Sequence, residues 1–374
     1  MANFQQTVTQ GFEKIRAIFK PVVRIGIDIT SDTIVIVELR RVKGTVVLRQ
    51  VILGNTPWNS VQEGEITDPT ALADTIQALL VDNEIESRRA ISAVAGQSTI
   101  VRPVRFPAMP DSELKEVISY EAERYIPFAI EDVNLAYDRV GEIEEDGALK
   151  HEIILVAAQK TLVNTLVEAL KGAEIQLDAL DVASFAIVRT IADTDQCRDE
   201  MTTALVHIQG WTTDINILVS GVPRFTRSIP IGFAYLLDLL INSMGVDEET
   251  ARKLLDEVDV DPQGGFDMSP EAEQAAESIR PALGELTGEI SRSLDFYLAQ
   301  GSDPIDRVVL SGRGGNIRGI ERYLASRVAM PVEPINPFHH IEFDEAEFPP
   351  DILLPQGPTL ATAIGLAIRG ALGE

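Results

Sequence analysis

The sequence has one cysteine, Cys197, among 374 residues. A lone thiol excludes an intramolecular disulfide framework and fits a reducing compartment. It lies in DTDQCRDE, whose acids disfavour a thiolate, so a structural cysteine is expected rather than a nucleophile. Positive charge is also scarce. The formal net charge is −26, and most of the 32 basic residues are arginine. Phosphate-backbone binding needs clustered Lys and Arg, so nucleic acid is excluded as a partner. No run of 18 apolar residues occurs, which excludes a simple spanning helix. The longest candidate, FAYLLDLLI (233–241), is interrupted by Asp238. The N-terminus has no compact apolar core with a cleavage site, so no signal peptide is read there and the chain is expected in the cytoplasm. Histidines number 4. HHIEFDEAE (339–347) lacks helical ligand spacing and reads as an acidic loop, so no metal site is expected. His151, beside an acidic turn, is expected to be exposed.

What is present is an ordinary globular composition, 45% hydrophobic and 24% charged, in a chain too long for one small core. Residues 4–20 place Phe4, Val8, Phe12, Ile15 and Phe19 at helical spacing among Lys14, Arg16 and Lys20. That pattern predicts a short amphipathic segment able to touch an anionic membrane surface, or else a helix packed on its own domain or a partly ordered tail. VVRIGIDI (22–29), TIVIVELRR (33–41) and TVVLRQVIL (45–53) predict three meandering strands, with TSD (30–32) as the first turn. A helix follows, with Asp68 as N-cap and Pro69 at its first position. AISAVA (90–95) reads as another strand.

The texture changes near Arg102. Four prolines, one amphipathic helix, two strands around EEDGALK, a helix ending at Gly172 and a strand IQLDALDV predict a compact α+β insert over 103–181. At 203 the meander returns as TALVHIQ, TDINILVS and PRFTRSIPI. Helices follow at 233–244, 247–257 and 270–300, then the strand RVVLSG (307–312) and the loop GRGGNIRG. The chain thus reads as two α/β units, each opening on three meandering strands and continuing with helices.

IDITSD (27–32) and HIQGWTTD (207–214) resemble the two phosphate loops of the actin-like ATPase superfamily, and LSGRGGNIRGI (310–320) resembles its adenosine loop. The order of GIDITSDTIVIVEL, AERYIPFAIEDVNLAYD, EIILVAAQKTLVNTLVEAL, GVPRFTRSIPIG, VVLSGRGGNIRGIERYLASRVAMPVEPINPF and ATAIGLAIRGAL is similar to that of the PilM family of type IV pilus assembly proteins. The resemblance implies an actin-like ATPase fold of two ribonuclease-H-like halves around a nucleotide cleft, with an insert of the type that FtsA and PilM carry. It implies an N-terminal segment (1–21), subdomain 1A (22–102, returning at 182–202), inserted subdomain 1C (103–181), subdomains 2A and 2B (203–353, with 2B at 245–303) and a C-terminal helix (354–374) packed on 1A.

The nucleotide residues carried over are Asp28, Thr30, Ser31, Gly210, Thr212, Thr213, Gly312, Gly314, Gly315 and Asn316. Four departures weaken that set. Thr30 stands where the family has glycine and Val35 where a lysine contacts phosphate. His207 and Gln209 replace the Asp and Gly of the second loop. Mg²⁺ wants hard oxygen donors, which an imidazole is not. ATP with Mg²⁺ is therefore expected to bind weakly or not at all, with no hydrolysis and no catalytic residue. The resemblance further implies a scaffold that binds the N-terminal, Ile-Asn-Leu-Leu-Pro-like peptide of PilN in a groove beside the insert, and that links the inner-membrane complex to the pilus motor ATPases. The expected peptide wall is Arg102, Arg105, Phe106, Tyr125, Ile126, Pro127 and Phe128, around the YIPF junction. The rival readings are a component of a type II secretion system, an FtsA-like filament former, and an actin-fold ATPase or kinase.

Overall fold

Each meander repeats the same local logic: two β-branched runs joined by a turn too short for anything but a hairpin. In the computed structural model, residues 23–373 are described except 63, 146, 262 and 302; the amphipathic stretch 4–20 lies outside them. Strands β1 (Ile25–Ile29), β2 (Thr33–Val42) and β3 (Thr45–Asn55) form the first meander, followed by a two-strand ribbon of β4 (Val61–Gln62) and β5 (Glu65–Ile66). Helix α1 (Pro69–Asp82) starts where Asp68 accepts from the Ala71 amide, with proline in its first turn. It leads to β6 (Arg89–Val94), parallel to β1. The chain then leaves the sheet through β7 (Thr99–Pro107), α2 (Asp111–Glu121), β8 (Val133–Glu145) and β9 (Ala148–Gln159). It returns through α3 (Lys160–Gly172), β10 (Gln176–Val182) and α4 (Ala183–Ile191).

The second half opens on β11 (Thr202–Gln209), β12 (Thr212–Val219) and β13 (Val222–Ile229). Helices α5 (Phe233–Met244), α6 (Glu248–Glu257) and α7 (Pro270–Ala299) follow, then β14 (Arg307–Ser311), α8 (Ile320–Val328), β15 (Val332–Pro334), β16 (Ile341–Glu342), α9 (Pro350–Leu353) and α10 (Gly357–Leu372). The two large sheets share one topology. The first runs β10-β6-β1-β2-β3-β16 and the second β13-β12-β11-β14-β15, each a meander extended by parallel strands beside its first strand. The repeat seen in the sequence is a repeat of sheet topology.

Helices α4 and α10 lie between the halves. Ile187 and Ile191 of α4 and Ala361 of α10 pack on Leu205, Leu218 and Val309 of the second sheet. Leu360, Ala363 and Ile364 of α10 pack on Val35 and Val37 of the first. The fit is close: a Cβ on Gly365 would lie 1.8 Å from the Ala186 carbonyl oxygen. The stretch Pro350–Leu372 has the length and mean hydropathy of a membrane span, but 72% of its most apolar window is buried in the fold.

Four expectations change. The insert's own sheet is β7-β9-β8 and begins at Thr99, before residue 103. Helix α3 and strand β10 belong to the main body, because Leu162, Leu166, Ala169 and Leu170 bury their stripe among the core residues Leu72 and Ile76 of α1. Strand β16, placed with the second half from sequence, pairs with β3 of the first sheet. His151 is buried, not exposed, and its Nε2 sits 3.1 Å from the Met109 amide nitrogen.

Candidate functional site

Two hairpin tips face each other where the halves meet. The first turns after Ile29, with the Thr30 amide donating to the Thr33 carbonyl at 2.9 Å. The second turns at Gly210, whose φ of +52° lies in the left-handed region that favours glycine. The tips touch: a Cβ on Gly210 would come within 3.2 Å of Ser31 Oγ.

Behind the tips lies a cavity of about 90 Å³ lined by Asp28, Thr30, Ser31, His207, Gln209, Gly210, Thr212 and Asp214, among others. Gln209 Nε2 donates to Asp28 Oδ2 at 2.9 Å, joining first half to second. Burial pushes the Asp28 carboxyl up to about 6, against the lowering effect of the Gln209 hydrogen bond. Burial pulls His207 down to about 4, so its imidazole is neutral at pH 7. His207 Nδ1 lies 3.1 Å from Ser311 Oγ on the neighbouring strand. Asp214 is also raised by burial, and accepts from Ser228 Oγ. Three buried polar atoms at this place, Ser31 Oγ, Gln209 Oε1 and Trp211 Nε1, have no protein partner.

Across the front of the cleft two arginines reach from the second half to the first. Arg252 Nη1 donates to the Asp32 carbonyl at 3.1 Å, and its Nε is held by Glu248 at 2.8 Å. Arg313 Nη1 lies 3.3 Å from Thr33 Oγ1 and 3.7 Å from Asp32 Oδ2, and its guanidinium stacks 4.7 Å over the Phe233 ring. A larger space of about 590 Å³ opens there, lined by Thr33, Asn55, Phe233, Arg313, Asn316, Gln356 and Thr359 among others. Asn316 Nδ2 donates to Thr359 Oγ1 at 3.1 Å, while its buried Oδ1 has no partner.

The nucleotide set is therefore divided. Asp28, Thr30, Ser31, Gly210 and Thr212 meet around the inner cavity, and Asn316 lines the outer space. Thr213 is fully buried and donates to the Ile231 carbonyl at 2.7 Å, so its hydroxyl serves the second sheet. Gly312 and Gly314 are required by packing, since a Cβ on either would come within 2.3 Å of Ile208. Gly315 faces Pro358. Val35, read as replacing a phosphate-contacting lysine, lies wholly buried against α10 and does not reach the cleft. The outer space is large enough for a base-sized group. The inner cavity is far below the several hundred cubic ångströms of a ligand pocket, and its two acidic groups are already bonded, Asp28 to Gln209 and Asp214 to Ser228. Among the described residues no group of three or more His, Cys, Asp or Glu is placed to hold a metal ion. Sequence reading missed Arg252 and Arg313; the only signal for Arg313 was a large cation inside a glycine-rich loop, and Arg252, inside helix α6, gave none.

A second feature sits beside the insert. An apolar groove of about 730 Å³ lies between the insert, the main body and the hairpin turn of the second half. Ala136, Ile154 and Val156 form its insert wall, Val163, Leu180 and Phe185 its body wall, and Val222 closes one end. The second half also holds the insert directly: Thr226 Oγ1 donates to the Val101 carbonyl at 2.7 Å, and Arg224 pairs with buried Glu152 at 2.7 Å.

None of the seven expected peptide-wall residues lines this groove. Phe106 and Ile126 are buried in the insert core with Leu114 and Ile118 of α2. Arg105 is paired with Glu145 at 2.8 Å. Arg102 lines a separate space of about 220 Å³ with Arg227. Tyr125 lies edge-on to Phe106, and Phe128 packs against the insert core, while Pro127 is exposed. Phe106, Ile126 and Phe128 are apolar because they build the insert core.

The comparisons with known proteins agree with this architecture. The chain is similar to a solved PilM–PilN type IV pilus biogenesis complex, with a TM-score of 0.82 and 28% identity over 93% of this chain and 98% of that one. More distant likeness extends to the ethanolamine utilization protein EutJ from Carboxydothermus hydrogenoformans (TM-score 0.54, 15% identity, 94% and 90% covered). It extends also to MreB5 of Spiroplasma citri bound to AMPPNP (TM-score 0.51, 11% identity, 94% and 96% covered). These two share the actin-like ATPase fold, which is the fold of this chain. The family model described as type IV pilus assembly protein PilM matches residues 26–371. The chain belongs to the PilM family of type IV pilus assembly proteins.

Proposed function

We propose that the chain is a scaffold of type IV pilus assembly that binds the N-terminal peptide of a PilN-type membrane protein in the apolar groove beside the insert. The observation that carries this reading is the groove itself, set in a chain that is similar over 93% of its length to a protein solved in complex with PilN. An extended apolar peptide needs an apolar groove and a few polar groups to fix its register. Asn134, Asp138 and Arg369 supply those groups in its lining. In the same reading the protein works at the cytoplasmic face of the inner membrane and passes the contact on to the motor ATPases, with residues 4–20 as a further membrane contact.

The nucleotide cleft is, in this reading, a structural hinge held shut by its own side chains. Gln209, Arg252 and Arg313 make the interdomain contacts that a bound nucleotide would otherwise make. Any nucleotide binding is confined to weak contact at the adenosine-loop end, and hydrolysis is absent.

Calorimetry with a synthetic PilN N-terminal peptide tests the reading. Binding at micromolar affinity or tighter is expected for the wild type. Ala136 is exposed on the groove wall, so Ala136→Arg fills the groove without disturbing a core. It should weaken binding more than about tenfold, roughly 1.4 kcal/mol. Loss of binding in Tyr125→Ala and Phe128→Ala, with Ala136→Arg unaffected, would move the peptide to the YIPF junction instead.

A further inference from the structure

The groove is bordered by two sheet edges. The insert sheet runs β7-β9-β8, which leaves β8 at its margin, and the first large sheet ends in β10. Edge strands carry unpaired backbone groups, and proteins blunt them with proline, lysine, short length or a covering element. The two edges differ in how they are treated. On β10, the Val182 amide is already bonded by Asp181 Oδ1 at 2.8 Å, and Asp181 Oδ2 holds Arg189 and Arg369 at 3.1 and 2.9 Å. At its end beside the groove, that edge has its last amide taken by its own side chain.

Strand β8 has none of these protections along its first half. It is 13 residues long, contains no proline or lysine, and five consecutive residues, Asn134 to Asp138, border the groove. Alternating side chains alone would bring only every second residue to a cavity. Here the register pairs Asn134 with Ala158, Ala136 with Val156 and Asp138 with Ile154, so these side chains share the groove face. Leu135 and Tyr137 pair with Ala157 and Leu155, which are core residues on the other face. Their presence on the groove border places the strand's edge there as well. The accessible edge ends at Val140, the extra residue of a bulge between Arg139 and Gly141. Bulges commonly terminate pairing.

We infer that the peptide is bound as an added strand on the free edge of β8, over Asn134–Arg139, with alternate side chains entering the apolar groove. This rests on the proposed peptide-binding function and specifies its mode. Every second residue of β8 directs both its amide and its carbonyl away from β9, so affinity comes from main-chain bonds and selectivity from the pockets for alternate side chains. The segment it fits is extended, apolar at every second position, and positively charged near Asp138, which is exposed and unpaired among the described residues.

Two measurements test it together. The PilN N-terminal peptide is N-methylated at one backbone amide at a time and titrated by calorimetry, and amide hydrogen exchange of the full protein is followed with and without the unmodified peptide. The expected result is a period-two pattern, with losses of tenfold or more at alternate peptide positions and little change between them. Alternate amides of Asn134–Arg139 should gain protection. If the unmodified peptide does not bind, the proposed function itself fails. If it binds, but methylation has no period-two pattern and β8 gains no protection, the added-strand mode is overturned and side chains alone hold the peptide. Protection of β8 that rises with protein concentration in the absence of peptide would also overturn it, assigning the edge to a second copy of the chain.

Discussion

Asp28 and His207 are opposite solutions to burial within one small cavity. Asp28 ionises at 3.8 in an unfolded chain and at about 6 in the fold. Between those values the folded protein holds the extra proton, so rising pH favours unfolding. At about 1.4 kcal/mol per unit, the cost is absent below pH ~4 and reaches about 3 kcal/mol above pH ~6. His207 moves from 6.5 to about 4, so there the unfolded chain holds the extra proton and rising pH favours folding over the same interval. The two slopes oppose each other. Asp28→Asn keeps an acceptor for Gln209 and removes only the carboxylate cost. The variant should be more stable than wild type by about 2–3 kcal/mol at pH 7, with the gain gone near pH 4. Denaturant titrations at both pH values check this. A loss at pH 7, or an equal gain at both, would contradict the buried-carboxylate account. Replacing Gln209 with alanine leaves Asp28 without its donor and should cost about 1–3 kcal/mol by the same titration.

At the scale of elements, the two helices between the sheets decide whether the halves hold together. Gly365 lets α10 meet α4 at backbone distance, so Gly365→Ala should destabilise by about 3 kcal/mol or more, or prevent folding. Gly288 on α7 has only the flexible end of Arg292 near it, and Gly288→Ala should be neutral or stabilise by up to about 1 kcal/mol. Thermal melts of the pair separate close packing from helix propensity. The elements themselves were legible in the sequence. Period-two patterning located both meanders, and the Asp68–Pro69 cap located α1. What was not legible was which surface an apolar residue would meet. Phe106, Ile126 and the α3 stripe read equally well as groove or core, because periodicity reports that a face is buried and not against what. The free edge of β8 has no local signature at all, since sheet order is set by long-range pairing.

At the scale of the whole molecule, a fold shared with MreB5 of Spiroplasma citri bound to AMPPNP has its two halves bridged here by Gln209–Asp28, Arg252–Asp32 and Arg313–Thr33. The departures at Thr30, His207 and Gln209 were visible in the sequence, and they fall on the hairpin tips and the strand ends behind them. The inference about Val35 was not sound, because a residue aligned with a family lysine lies in the α10 interface. Restoring the loops should therefore leave it alone: Thr30→Gly, His207→Asp and Gln209→Gly together should raise nucleotide affinity over wild type, read by fluorescence of a labelled ATP analogue, whereas adding Val35→Lys should unfold the protein by burying a charge. Equal affinity in the triple variant and wild type would mean that the tips do not limit nucleotide entry. Purified wild type should show no Mg²⁺-dependent ATP turnover above background.

The central claim, that a PilN-type peptide lies in the groove between insert and body, is tested most directly by photo-crosslinking. A PilN N-terminal peptide with a photoreactive residue at successive positions is irradiated with the full chain, and the attachment sites are mapped by mass spectrometry. The account predicts adducts on Leu135–Asp138, Phe185 and Val222. Adducts confined to Arg102, Tyr125 and Phe128, or scattered over the surface without competition from unlabelled peptide, would contradict it.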